Sequence, residues 1–194
     1  MDVKDKTFAA VKYRVFALVG ACLVGAFGAT TVSLDGNWRL DYFPQPNDGA
    51  VRTLPLAAAL GAKTVKATVP GNCELDLVNA GLLPPMEVGL NVLKLRPYEA
   101  YQWLYTKTFE APAVDVKAGC RATLVFGGID TLADVFLNGE RVGTAENMQV
   151  AHAFDVTGRL RQGAANEVAV LFRSPVVESQ FNEIAAIGKA GSTS

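Results

Sequence analysis

The sequence contains few residues able to do chemistry. There is one histidine, His152, set in Val150-Ala151-His152-Ala153-Phe154, and any Ser-His-Asp or Cys-His nucleophilic arrangement would have to use it. A single histidine among apolar neighbours reads as a structural side chain. The three cysteines, Cys22, Cys73 and Cys120, carry no local signature of a catalytic thiol and no CxxC spacing. One histidine and scattered cysteines give no nitrogen–sulfur metal site, and the carboxylates lack the spacing of a calcium loop. Gly127-Gly128 follows an apolar stretch without the rest of a phosphate-cradling or dinucleotide motif. The sequence therefore calls for no cofactor and no metal.

Paired carboxylates remain as an option. Asp130, Asp134 and Glu140 fall near the ends of expected strands, and Glu74 and Asp76 fall in the first turn of an expected helix. Each has a plainer role. Glu74 and Asp76 complement the helix dipole, Glu140 follows a turn, and Asp130 caps one. Asp134 should point opposite to Val135, either outward from the sheet or toward an arginine. No catalytic constellation emerges, and no catalytic residue is assigned to this chain.

The elements that would position these residues are mostly strands. After a turn at Ser33–Asn37, Trp38–Tyr42 alternates like a strand, as do Lys66–Val69, Gln102–Phe109, Arg121–Phe126, Ala133–Leu137, Glu140–Thr144, Ala153–Val156 and Asn166–Arg173. Asn138-Gly139 between two of them predicts a type I′ hairpin, because both residues tolerate positive φ. Asn72, a good N-cap, followed by Leu75, Val78 and Gly81, predicts a two-turn helix over Cys73–Ala80. Residues 44–63, rich in Pro, Gly and Asn, read as a long loop with one helical turn at Leu56–Leu60, and Leu82–Pro97 reads as irregular. Short strands joined by turns, with one short helix and no βαβ alternation, predict an all-β jelly-roll sandwich. Trp38, Trp103, Tyr105, Phe109, Leu124, Phe126, Val135, Leu137, Val168, Val170 and Phe172 are expected to form one core. Trp103 and Tyr105 share a face with Phe109 and read as core rather than as a sugar-stacking platform.

Composition agrees with a globular chain: half of the 194 residues are hydrophobic, 19% are charged, and the net charge is -1. No basic stripe points to nucleic acid. The N-terminus stands apart. Lys4, Lys6, Lys12 and Arg14 precede the uncharged run VFALVGACLVGAFG, Val15 to Gly28. A basic n-region, a short apolar h-region and small residues at Ala26 and Gly28 describe a secretory signal peptide, and 14 apolar residues fall short of the roughly 20 a spanning helix needs. The expected organisation is a signal peptide over 1–28, a β-sandwich domain over 29–176, and a linker or the start of a further segment over 177–194. The protein is expected to be exported, to a periplasmic or extracellular location, with no stable membrane span once the signal is removed. In an oxidising compartment Cys73 and Cys120 could pair; the favoured expectation is two separate buried thiols.

Several stretches go further by resemblance. Leu34-Asp35-Gly36-Asn37-Trp38, Val69-Pro70-Gly71-Asn72 with Asp76-Leu77 and Ala80-Gly81-Leu82-Leu83-Pro84, and Trp103-Leu104-Tyr105 with Phe109 occur in this order. Phe126-Gly127-Gly128-Ile129-Asp130-Thr131, Ala133-Asp134-Val135-Phe136-Leu137-Asn138-Gly139, Phe154-Asp155-Val156-Thr157 and Arg173-Ser174-Pro175 follow. Together, over residues 33–176, they resemble the N-terminal sugar-binding-type domain of family 2 glycoside hydrolases, nearest the β-mannosidase and exo-glucosaminidase branch. The resemblance implies a galactose-binding-like jelly roll ahead of an immunoglobulin-like domain and a barrel that carries two catalytic glutamates. It implies an exo-β-glycosidase of carbohydrate catabolism as the parent protein, with a terminal β-linked sugar as its partner. A free-standing, non-catalytic carbohydrate-binding module is the alternative. The resemblance also makes Asn91 a sugar-binding residue. The reading from the residues alone is a loop asparagine bonding its own backbone.

Overall fold

The computed structural model describes residues 31–46 and 61–180, together with the backbone of Val15–Cys22. The expected helical turn at Leu56–Leu60, the rest of the leader and residues 181–194 lie outside the described residues.

The architecture is two antiparallel sheets. The first has four strands in the order β2-β1-β6-β9, from β2 (Thr31–Ser33), β1 (Val15–Cys22), β6 (Cys120–Phe126) and β9 (His152–Asp155). The second has six strands in the order β4-β3-β5-β10-β7-β8. They are β4 (Lys63–Val69), β3 (Gly36–Pro44), β5 (Tyr101–Glu110), β10 (Ala165–Phe172), β7 (Ala133–Leu137) and β8 (Glu140–Ala145). Helix α1, Cys73–Asn79, follows β4, and a 3-10 segment, Asn91–Tyr98, leads into β5.

Every expected strand is present; five are one to four residues longer than the alternation alone suggested, and three keep their expected length. The Asn138-Gly139 hairpin forms with φ of 53° and 86°, both in the left-handed region that a type I′ turn needs. Asn138 also ties the turn to β10. Its amide donates to Asn166 Oδ1 and to the Arg159 carbonyl, and its Oδ1 accepts from the Glu167 N–H.

All eleven side chains assigned to the core lie in or against one cluster between the sheets. Trp38, Tyr105, Leu124, Phe126, Val135, Leu137, Val168 and Val170 are buried in it, and Trp103, Phe109 and Phe172 pack on it half-buried. A second cluster, Phe43, Leu104, Phe136, Ala169 and Leu171, occupies the opposite face of the six-stranded sheet. That face is buried too, which is why β7 and the middle of β10 read as near-continuous apolar runs.

Two segments depart from the sequence reading. Residues 175–180, which cross from the end of the expected domain into the expected linker at 177, are helical (α2). Ser174 caps them: its Oγ accepts from the Val177 N–H at 3.1 Å, and Pro175 takes the first helical position, where no N–H is needed. The second is Val15–Cys22. The residues read as the apolar core of a signal peptide run as a strand between β2 and β6, from Val15 opposite Phe126 to Cys22 opposite Cys120.

Candidate functional site

One end of the sandwich carries a cleft of about 370 Å³. It opens where β5 begins and β6 and β10 end, and α1 presents its N-terminus there. The tight entry to α1 explains a glycine. A Cβ on Gly71 would lie 2.2 Å from the Thr68 carbonyl oxygen, so no larger residue fits without moving backbone. Asn72 then caps the helix, its Oδ1 accepting from the Leu75 N–H at 2.8 Å.

The cleft wall is aromatic. Tyr98 and Tyr101 flank Trp103, with ring centroids 6.1 and 6.3 Å from it, and all three are half-buried. Behind them the buried Tyr42 stacks on Trp103 at 5.5 Å with planes 25° apart. Register sets the arrangement, since Tyr42 and Phe172 are the cross-strand partners of Trp103 on either side. Trp103, expected in the core, therefore does two things: one side packs on the core and the other faces the cleft. Trp38 lines the same cleft and is pinned deeper, its indole N–H donating to the Leu34 carbonyl at 2.8 Å. Both tryptophans of the chain thus share one site.

Of the three acids that line this cleft, Asp130 and Glu74 are engaged locally and Glu99 is exposed. Thr131 donates its hydroxyl to Asp130, and the Cys73 thiol is hydrogen-bonded to Glu74. Burial, helped by the Glu74 charge, pushes the Cys73 thiol well above its ordinary range, which suppresses the reactive thiolate. Asp76 does more than complement the helix dipole. It is 2% exposed and accepts from the Thr68 N–H at 3.0 Å and the Tyr105 hydroxyl at 3.1 Å, joining α1 to β4 and β5. Burial raises the pKa of both Asp76 and Tyr105, and the two hydrogen bonds to Asp76 pull its own value back only in part.

Asp134 resolves both ways at once: it points outward from the sheet and it meets arginines. It is fully buried, 2.7 Å from Arg141 and 3.3 Å from Arg173. Arg173, only 4% exposed in its side chain, also pairs with Glu178 of α2 at 2.7 Å. Gln45 completes the group, donating to Glu178 and accepting from the Ser174 N–H. Arg173 and Ser174 line the cleft, so this network fixes one of its edges.

Asn91 lies outside the cleft lining. Its side-chain amide donates to the Pro85 carbonyl at 2.9 Å and starts the 3-10 segment. His152 bonds the Asn147 carbonyl at 2.8 Å and stacks on Phe154, a structural placement. Cys73 and Cys120 are both thiols, half-buried rather than buried. Among the described residues no three His, Cys, Asp or Glu side chains converge to hold a metal ion, and no helix is long and apolar enough to cross a membrane. Sequence reasoning missed Tyr98 and Tyr101 as cleft residues. The spacing Tyr98-x-x-Tyr101-x-Trp103 across the start of β5 was the available signal.

Comparison with known proteins gives the site a context. Residues 54–187 match the family described as "Glycosyl hydrolase 2 galactose-binding domain-like". Beta-mannosidase B of Thermothelomyces thermophilus is 33% identical over 143 residues, 74% of this chain and 15% of that protein. Beta-mannosidase of Bos taurus is 31% identical over 165 residues, 84% of this chain and 17% of that protein. Among solved structures, the Dictyoglomus thermophilum β-D-mannosidase superposes with a TM-score of 0.59 at 33% identity, covering 77% of this chain and 16% of that one. The chain thus spans 15–17% of the length of these relatives.

Proposed function

The chain belongs to the glycosyl hydrolase 2 galactose-binding domain-like family, and from that premise we propose that it is the N-terminal domain of an exported exo-β-glycosidase of the β-mannosidase type. In this reading the catalytic pair lies on the barrel of the parent enzyme. One glutamate protonates the leaving oxygen and the other, its carboxyl about 5–5.5 Å from the first, attacks the anomeric carbon, as in retaining enzymes. The present domain contributes a wall to the site and no reacting group. Asn91 leans toward the sugar, and a terminal β-linked mannoside is the substrate. The leader, with its basic start and uncharged run, supports export with cleavage close to Gly28.

The similarity to β-mannosidases over 74–84% of the chain carries this proposal. The half-buried aromatic wall of Tyr98, Tyr101 and Trp103 favours a second reading, a carbohydrate-binding module that acts without a barrel. The reading frame beyond Ser194 separates the two. Barrel-coding sequence in frame, and hydrolysis of aryl β-mannosides by the polypeptide it encodes, is the expected result. A stop codon directly after Ser194, with the chain binding sugar by itself, would establish the module instead.

A further inference from the structure

One run of residues is held firmly and yet left apolar on its outer side. Of the ten large hydrophobic side chains exposed among the described residues, six fall between Leu75 and Leu93. Four of these, Val88, Leu90, Val92 and Leu93, are 45–76% exposed and stand within the uncharged run Val88–Leu93. We propose that these four side chains form a docking knob that seats against the catalytic barrel of the same polypeptide. The proposal rests on the reading of this chain as the N-terminal domain of a longer glycosidase, and it names the surface through which that domain meets the barrel.

The knob has a built foundation. Leu83, Met86, Leu95 and Tyr98 pack inward on the cluster of Tyr42 and Leu77, behind the aromatic wall. The N–H groups of Val88, Asn91 and Leu93 donate to the carbonyls of Pro85, Val88 and Leu90, so the backbone is tied in three successive short turns. The side-chain amide of Asn91, the one polar side chain in the run, donates back to the Pro85 carbonyl. A cluster of apolar side chains kept in water by a fixed backbone marks an interaction surface. Its rigidity lowers the entropy lost when a partner binds.

Two observations commit the occupant. The chain spans 15–17% of its β-mannosidase relatives, so in a protein of that length more than four-fifths of the polypeptide lies outside it. The described chain also leaves beside the knob. Ser174, at the start of α2, donates its hydroxyl to the carbonyl of Glu99, directly after the 3-10 segment Asn91–Tyr98, and the Gln45 N–H donates to the next carbonyl, Ala100. Residues that follow α2 therefore start from the same end of the sandwich as the knob. Its composition suits the centre of an interface, which is more apolar than the rim and depleted of charge. Leu95 and Tyr98, on the inner side of the segment, line the cleft, so a barrel seated on the knob stands at the cleft mouth.

The test compares side-chain exposure in this chain and in the polypeptide encoded by the reading frame that continues past Ser194, by hydroxyl-radical footprinting. In this chain, at low concentration, Leu90 and Leu93 should be modified rapidly. In the longer polypeptide their modification should fall about fivefold or more, because the core of an interface is packed like a protein interior. Val116, exposed beyond the far end of β5, is the internal reference and should keep its rate. Leu90→Asp should restore the modification of Leu93 in the longer polypeptide, since an unpaired charge cannot enter an apolar seat. The same substitution should leave the Tm of this chain unchanged, because Leu90 is 76% exposed. Equal modification of Leu90 and Leu93 in the two proteins, with aryl β-mannoside hydrolysis intact in the longer one, overturns the docking and leaves the N-terminal-domain reading standing. Leu93 still protected in the Leu90→Asp polypeptide overturns it as well. A reading frame that stops after Ser194 overturns both the reading and the docking. Protection of Leu90 in this chain alone, at the mass of a dimer, assigns the knob to a second copy and overturns the proposal.

Discussion

Asp76 is the side chain whose environment departs most from what its sequence position suggests. Near the start of a helix, an acid usually stays ionised against the dipole. Here burial raises its pKa above the ordinary 3.8. Folding therefore favours the protonated form. That contribution is fully present below the unfolded value and is lost as pH rises through the folded one. The wild-type chain should lose stability from this group as pH rises above about 4, and Asp76→Asn, which stays neutral, should flatten that slope. Denaturant melts from pH about 3 to about 7 (a range of roughly one unit below to three above the ordinary value) read the difference, and equal slopes for both proteins would contradict it. Trp103 is a residue of two faces. Trp103→Ala should cost about 3 kcal/mol, the low end for a large core side chain, because its other face is already open to the cleft. A variant with an unchanged Tm would mean that its contacts with Tyr42 and the core contribute nothing. Local rules made Asn72, Gly81 and Asn138-Gly139 legible in the sequence. Asp76 was not, because its partners Thr68 and Tyr105 come from other elements and no local pattern records them.

At the scale of elements, alternation located the strands well where one face meets solvent. It assigned only one face of β7 and β10 to the core and so missed the second apolar cluster, to which their other faces contribute Phe136, Ala169 and Leu171. Helix α2 was also hidden. Its cap, Ser174-Pro175, reads equally as the stop of a strand, and only the long-range pairing of Glu178 with Arg173 and Gln45 reveals that the chain turns and docks. The anchor of that docking is Asp134, fully buried between two arginines. Asp134→Ala leaves the buried Arg173 with Glu178 and, at 3.9 Å, the exposed Glu146, and should cost about 3–5 kcal/mol, as removal of one partner of a buried pair does. Unfolding by urea checks this, and a loss below about 1 kcal/mol, the scale of a surface pair, would show that the network contributes little. For the N-terminal element, export predicts that mature material begins close to residue 29. N-terminal sequencing of secreted protein is the check, and intact Met1 at a membrane would favour an anchor.

At the scale of the molecule, ordered motifs spread over residues 33–176 gave both the sandwich and the family. The cleft was not legible, because its wall assembles from the start of β5, the N-terminus of α1 and the ends of β6 and β10, which are distant in sequence. The proposed function has this domain supply one wall of the parent enzyme's site and no catalytic pair. Two of the three acids that line the cleft are bonded locally, Glu74 with the Cys73 thiol and Asp130 with Thr131, and only the exposed Glu99 remains, whereas glycoside hydrolysis needs one carboxyl free to protonate the leaving oxygen and a second opposite it. The most direct test is to assay the purified chain against aryl β-mannoside, β-galactoside, β-glucuronide and β-glucosaminide. The account predicts release no faster than in a protein-free blank. Turnover that survives purification and is abolished by Glu74→Gln or Asp130→Asn would contradict it.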